Sequence, residues 1–279
     1  STVRTFSANA EPYTISAKLA CDVVVSDWIP IGTADTTVFS FDGQKHSITI
    51  NNLSSEAGDY AGVFGYVGNQ SASTTSISNL VVKGQDAGIT TSAQYAGGIV
   101  AYSYGATISN CVNKLKINNT HSSEDNFGVG GIVGVVAKPT AISGCVNFAD
   151  LVDAGESDGG TQNACVGGIV GIVLEENVNN EDELTVTKCI NLGKIQSQIT
   201  NAYLSGGVGK SYGSVTITDC INLGEIGWLN SANANNNSGS FPLTIIWYIK
   251  SIIGIDTSLS FNNWWYVSNT SGWSGVVAT

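Results

Sequence analysis

Six cysteines, two histidines and a periodic set of asparagines carry the most obvious chemistry of this 279-residue chain. Four cysteines recur in one context: Ile108-Ser-Asn-Cys-Val-Asn113, Ile142-Ser-Gly-Cys-Val-Asn147, Val186-Thr-Lys-Cys-Ile-Asn191 and Ile217-Thr-Asp-Cys-Ile-Asn222. Metal binding would need convergent ligands, and no Cys-X-X-Cys pair or neighbouring histidine supplies them. The spacing instead predicts a column of small buried thiols at Cys111, Cys145, Cys189 and Cys220. Rung-to-rung disulfides are the alternative, which in-register parallel neighbours suit poorly. Cys21 and Cys165 lie off the column, and the sequence leaves their pairing open. Two residues after each repeated cysteine stands Asn113, Asn147, Asn191 or Asn222. Stacked amides can bond to one another along an axis and satisfy turn backbone; glycan contact is the alternative role.

The histidines, His46 and His121, offer little for nucleophilic catalysis, which needs a base held beside a nucleophile by a third group. His121 falls in the polar stretch Asn118–Ser123, and His46 in a strand-turn segment. Carboxylates gather in loops: Glu124-Asp125, Asp150 to Asp158, Glu175-Glu176 and Glu181-Asp-Glu183, with Arg4 the sole arginine. Glycosidase or lyase chemistry needs two carboxylates, or a carboxylate and a cation, converging on one face. No acidic position recurs within strands, so these are read as solvated loops. A weak Ca²⁺ site at 175–183 stays open, although the Asp-X-Asp-X-Asp-Gly pattern is absent. No catalytic residue, cofactor or metal is expected. An ice-binding Thr-X-Thr array is present only at Thr185-Val-Thr187 and Thr216-Ile-Thr218; earlier repeats are mixed.

Only 12% of residues are charged, about half the usual quarter, and the formal net charge is −11. An acidic surface is repelled by nucleic-acid phosphates and by anionic lipid, so neither partner is expected. No apolar run reaches the roughly 18 residues a membrane span requires. The chain begins at Ser1 and contains no Met, which predicts a removed leader. Five sequons, at Asn52, Asn69, Asn118, Asn236 and Asn269, are candidate N-glycosylation sites and lean towards an exported protein.

The elements that must position these residues are read from the repeats. A glycine-aliphatic segment precedes each Cys-X-Asn: Gly98-Ile-Val-Ala, Gly131-Ile-Val-Gly, Gly168-Ile-Val-Gly and Gly206-Gly-Val-Gly, with a weaker copy at Gly62-Val-Phe-Gly65. Counted through Gly62, Gly98, Gly131, Gly168 and Gly207, the units recur every 33 to 39 residues. Such periods mean stacked units that bury apolar faces only against neighbours. Each unit holds three apolar stretches: Ile99-Val100, Ile108 and Ile117 in one, Ile132-Val133, Ile142 and Leu151 in the next. No unit has a helical period of useful length. The prediction is an all-β, right-handed parallel β-helix (β-solenoid) with three short strands per coil and capped ends. Residues 1–59 form an N-terminal cap and first coils, 60–228 about five repeat coils, and 229–279 an aromatic cap or assembly segment, all in one continuous domain.

The glycine-aliphatic core and the Ile-Ser-Asn-Cys that follows it resemble the GLUG-motif repeats of microbial surface proteins. Asp27-Trp-Ile-Pro-Ile-Gly32 and Phe41-Asp-Gly-Gln-Lys-His-Ser-Ile48 resemble the lead-in of such arrays. The resemblance implies a parallel β-helix in adhesin-like extracellular proteins. The expected function is a non-enzymatic structural or adhesive β-helix, secreted or on the cell surface, and in one form a self-assembling filament subunit. Its partners would be host or matrix glycans or proteins, or further copies of itself. The alternative is a carbohydrate-binding or carbohydrate-active β-helix of the lyase or glycosidase type.

Overall fold

A computed structural model describes residues 15–32, 39–68, 75–122, 127–155, 164–174, 184–199 and 202–228. Within them the chain is a parallel β-solenoid; strands of successive turns stack in four sheets of ten, five, seven and five strands. One coil runs Tyr95–Gly97, Val100–Ser109, Val112–Lys114 and Ile117–Asn119. The next repeats it as Phe127–Gly130, Val133–Ser143, Val146–Asn147 and Leu151–Asp153. Every step from coil to coil is parallel, with Ile108 on Ile142 and Ile117 on Leu151, and one register shift falls between Ser103 and Tyr104, where the longer facing strand takes up an extra residue. Val100 and Ile108 share one strand, so the three apolar stretches fall on two strands; with Tyr95–Gly97 and Val112–Lys114 this coil has four strands where three were expected.

The register follows from which side chains alternate inward. Ile77, Ile108, Ile142, Val186 and Ile217 form one aliphatic column. Ile89, Ile117, Leu151, Ile195 and Ile226 form another. Both columns belong to one continuous core. Each fully buried Ile or Leu contributes about 1.5–3 kcal/mol, so a slip of one residue, which turns a whole strand inside out, is strongly disfavoured. The strands Ile15–Lys18 and Phe39–Asp42 extend the same ladders towards the N-terminus. There Trp28 is buried and donates its indole N–H to the Gly62 and Val63 carbonyls, each at 3.2 Å.

Corners between strands are set by the residue before each repeated cysteine. Asn110, Lys188 and Asp219 have φ of 52°, 54° and 53°, and Gly144 has 61°. This left-handed region is open to Gly and tolerable for Asn and Asp, which accounts for three of the four corners; Lys188 holds the same conformation without that advantage. The turn re-aims the chain so that Cys and, two residues on, Asn both point inward. In the last repeat the structure pairs Val208 with Val170, which sets Gly206, not Gly207, above Gly168. Gly207 takes the place that Ile169 fills one coil earlier, and the core loses one aliphatic side chain there. Residues 229–279, with the expected aromatic cap, lie outside the described residues.

Candidate functional site

The amide column is continuous. Asn113 Nδ2 donates to Asn147 Oδ1 at 2.9 Å, Asn147 to Asn191 at 2.7 Å, and Asn191 to Asn222 at 2.7 Å. Each second amide hydrogen goes to the carbonyl two residues on: Leu115, Ala149, Gly193 and Gly224. The oxygens of Asn113, Asn147 and Asn222 also accept the backbone N–H two residues on. Asn113, Asn147 and Asn191 are buried with no exposed surface, so these bonds replace water and leave no amide atom open to a ligand.

Opposite the amides stands the glycine ladder. A methyl group on Gly131 would collide with the Asn147 amide and the Gly168 carbonyl; on Gly168 it would collide with the Asn191 amide and the Gly206 carbonyl. The repeated Gly-Gly and the repeated Cys-X-Asn are therefore two halves of one contact, joined across the interior of each coil. In the first repeat, which carries Gly62, the amide position belongs to Val82, paired with Asn113.

Cys111, Cys145, Cys189 and Cys220 stack beside the amides, all buried, and no disulfide joins any of the six cysteines. Each donates to the carbonyl two residues before it, Cys111 to Ser109 at 3.2 Å and Cys220 to Thr218 at 3.1 Å. Burial pushes the Cys220 thiol up; the bond to Cys111, then that to Cys189, with burial behind them, push Cys145 up. Cys165 lies in a separate cluster with Val135 and Ile172, and burial raises it to about 12. Cys21 is exposed.

His46 lies at the surface, its Nδ1 3.5 Å from Asp22. His121, Asp153 and Ser197 come closer to a catalytic set. Asp153 and Ser197 are buried one above the other, and Ser197 donates to Asp153 Oδ2 at 2.5 Å. His121 Nδ1 is 3.0 Å from the Ser92 carbonyl, and the ring lies near enough to Asp153 to oppose, as the smallest of several influences, the rise of its carboxyl. A triad requires the base between the hydroxyl and the acid. Here the hydroxyl donates its hydrogen bond directly to the acid with no imidazole between them, so the arrangement braces a corner and does not activate Ser197. The acid segments 124–125, 156–158 and 175–183, with the candidate Ca²⁺ site, lie outside the described residues. Among the described residues no three His, Cys, Asp or Glu side chains are grouped to hold a metal ion.

Of the sequons, Asn52 is exposed and exchanges two hydrogen bonds with Asp27, at 3.3 and 2.6 Å. Asn118 is half-buried in the strand Ile117–Asn119. Asn69, Asn236 and Asn269 lie outside the described residues. No helix among the described residues is long and apolar enough to cross a membrane.

Sequence reasoning missed an outer aromatic face. Tyr60 and Tyr95 pair in one sheet, Tyr66 and Tyr102 in another, and Tyr104 follows on the same strand as Tyr102. Tyr66 and Tyr102 stack at 5.0 Å and 10°, and Tyr95 meets Tyr102 edge-on at 5.2 Å. Three coils beyond, Lys210 Nζ sits 4.3 Å from the Tyr203 ring and 4.5 Å from that of Tyr212. The signal was available: Tyr66 and Tyr102, like Tyr60 and Tyr95, stand about one repeat apart.

Residues 92–118, which span the strands from Tyr95 through Ile117, match the family model of the GLUG motif. The chain carries the GLUG motif. The matched segment holds Gly98, Cys111 and Asn113, so the GLUG match coincides with the glycine-amide contact. No curated protein matches the chain. Among solved structures, the solenoid is similar to that of a "putative immunoglobulin A1 protease" from Bacteroides ovatus. The identity is 18% and the TM-score 0.55, over 83% of this chain and 74% of that one. At that identity the likeness shows the fold alone.

Proposed function

We propose that this GLUG β-solenoid is a non-enzymatic structural or adhesive protein, secreted or displayed on a cell surface, whose rigid outer faces contact host or matrix glycans or proteins. The observation that carries this reading is the fate of the reactive groups. The repeated amides are bonded to one another and to backbone, and the repeated thiols are buried beside them. Side chains that could do chemistry hold coil to coil instead. What remains for function is the outside of a stiff stack. A filament of further copies is a form of the same reading.

The test is adhesion. Beads coated with the purified chain should adhere to mucin- or matrix-coated surfaces more strongly than albumin-coated beads, while the soluble chain leaves peptide and polysaccharide panels uncut. Sustained cleavage of any panel member, beyond one turnover per chain, would replace this reading with an enzymatic one. Adhesion no better than albumin would end it.

A further inference from the structure

We infer that the outer tyrosine cluster is a binding site for an uncharged oligosaccharide, taken up as pyranose rings against Tyr60, Tyr66, Tyr95, Tyr102 and Tyr104. The inference rests on the adhesive reading and names the ligand class of one face.

The cluster is built rather than incidental. Six ring pairs lie within 5.0 to 6.4 Å, drawn from strands of two sheets and two successive coils. All five rings are half-buried, so each is fixed on its inner side and presents its remaining surface to solvent. Beneath Tyr95 and Tyr102 lie the fully buried Val135 and Ile172, which hold those rings in place. Preset rings cost little conformational entropy when a ligand arrives.

The residue type argues for a sugar. A face selected only to cover apolar surface could use Phe or Leu; tyrosine adds a hydroxyl to each ring and is favoured where one end of a side chain is apolar and the other wet. A pyranose has the matching division, with C–H groups on its faces and hydroxyls on its rim. The rings recur with the coil rise of about 4.8 Å, which is close to the length of one pyranose unit. Lys138 of the next coil borders the cluster, its Nζ 5.5 Å from the Tyr104 ring. A net charge of −11 disfavours anionic glycans, so the ligand class is neutral.

The experiment is calorimetric titration of the full chain with cellohexaose, mannohexaose, laminarihexaose, chitohexaose and a poly-N-acetyllactosamine hexasaccharide, with hyaluronan and a tyrosine-free peptide as controls. At least one neutral hexasaccharide should bind, with binding weakened tenfold or more in Tyr102→Ala and Tyr104→Ala and weakened less, but measurably, in Tyr104→Phe, which keeps the ring and loses the hydroxyl. Substitution of Phe148, on a different face, should change nothing. If Tyr102→Ala fails to fold, Tyr104→Ala and ligand-induced shifts of the tyrosine ring resonances in the unsubstituted chain decide. Absence of binding to every neutral probe at millimolar concentration, binding only to hyaluronan or the peptide, or binding untouched by the tyrosine substitutions would overturn the inference. Bead adhesion that survives in the tyrosine variants would leave the adhesive reading standing while this one falls.

Discussion

Asn147 shows how much one side chain can be asked to do. It bonds an amide above, an amide below and the backbone of its own corner. Asn113 has an amide on one side only, because Val82 is its other neighbour. Asn147→Val should therefore cost more than Asn113→Val in urea unfolding. Each buried partner left unsatisfied costs about 1–3 kcal/mol, and the first substitution orphans one more amide than the second. Asp153 gives a pH dependence. Burial, partly opposed by hydrogen bonds from Ser197 and the Gly155 N–H and by nearby His121, raises it from 3.8 to about 6. A raised carboxyl penalises the fold only once ionised. The stabilising difference is thus complete below about pH 4 and is lost as the pH climbs through about 6, amounting to about 2–3 kcal/mol. Asp153→Asn, which copies Asn119 at the same place one coil earlier, should flatten that part of the stability profile and stabilise the protein at pH 7. Thiol titration with a disulfide reagent should find one reactive cysteine, the exposed Cys21, in the native chain and six after denaturation.

At the scale of the element, the unit is a corner pair rather than a strand. The Gly-Gly corner and the Cys-X-Asn corner face each other, and neither is explained by local propensity alone. Gly131→Ala should destabilise by about 2–3 kcal/mol or more in the same unfolding assay, because its methyl has only backbone and a bonded amide to displace. The same substitution at Gly227, where nothing lies within 4 Å, should have little effect. The aliphatic columns were legible in advance from their period. The Tyr95–Gly97 strand was not, because a three-residue segment ending in glycines reads as turn. The one-residue shift at Gly206 was hidden for a related reason: two adjacent glycines are interchangeable in sequence, and only pairing of Val208 with Val170 fixes which one lies in the ladder.

Across the whole molecule, stability is shared between neighbouring coils, as expected of a quasi-one-dimensional stack. Hydrogen exchange should be slowest in the coils bearing Cys111, Cys145 and Cys189, whose strands pair with a coil on each side, and faster in the strand Val215–Thr218, in which no residue is fully buried. Uniform protection along the chain would contradict that picture. The same stack turns sequence periodicity into surface pattern. A residue repeated once per coil becomes a line on the outside: the tyrosines form one such line, and Phe148, Leu192 and Leu223, each exposed and each following an asparagine of the column, form another.

The sequence by itself determined that the chain is an all-β stack, because a repeated spacing of Gly, aliphatic, Cys and Asn can be satisfied only by equivalent residues lying over one another. It also determined which residues point inward, since a strand alternates with period two. Tertiary structure alone decided what the glycines are for, because their partner is an amide about fifteen residues away, across the coil interior. It alone decided that Ser197 donates its hydrogen bond to Asp153, and that tyrosines from two sheets meet on one face. Those contacts depend on how far the corners turn the chain, and turn angles are settled by packing between coils rather than by any one segment.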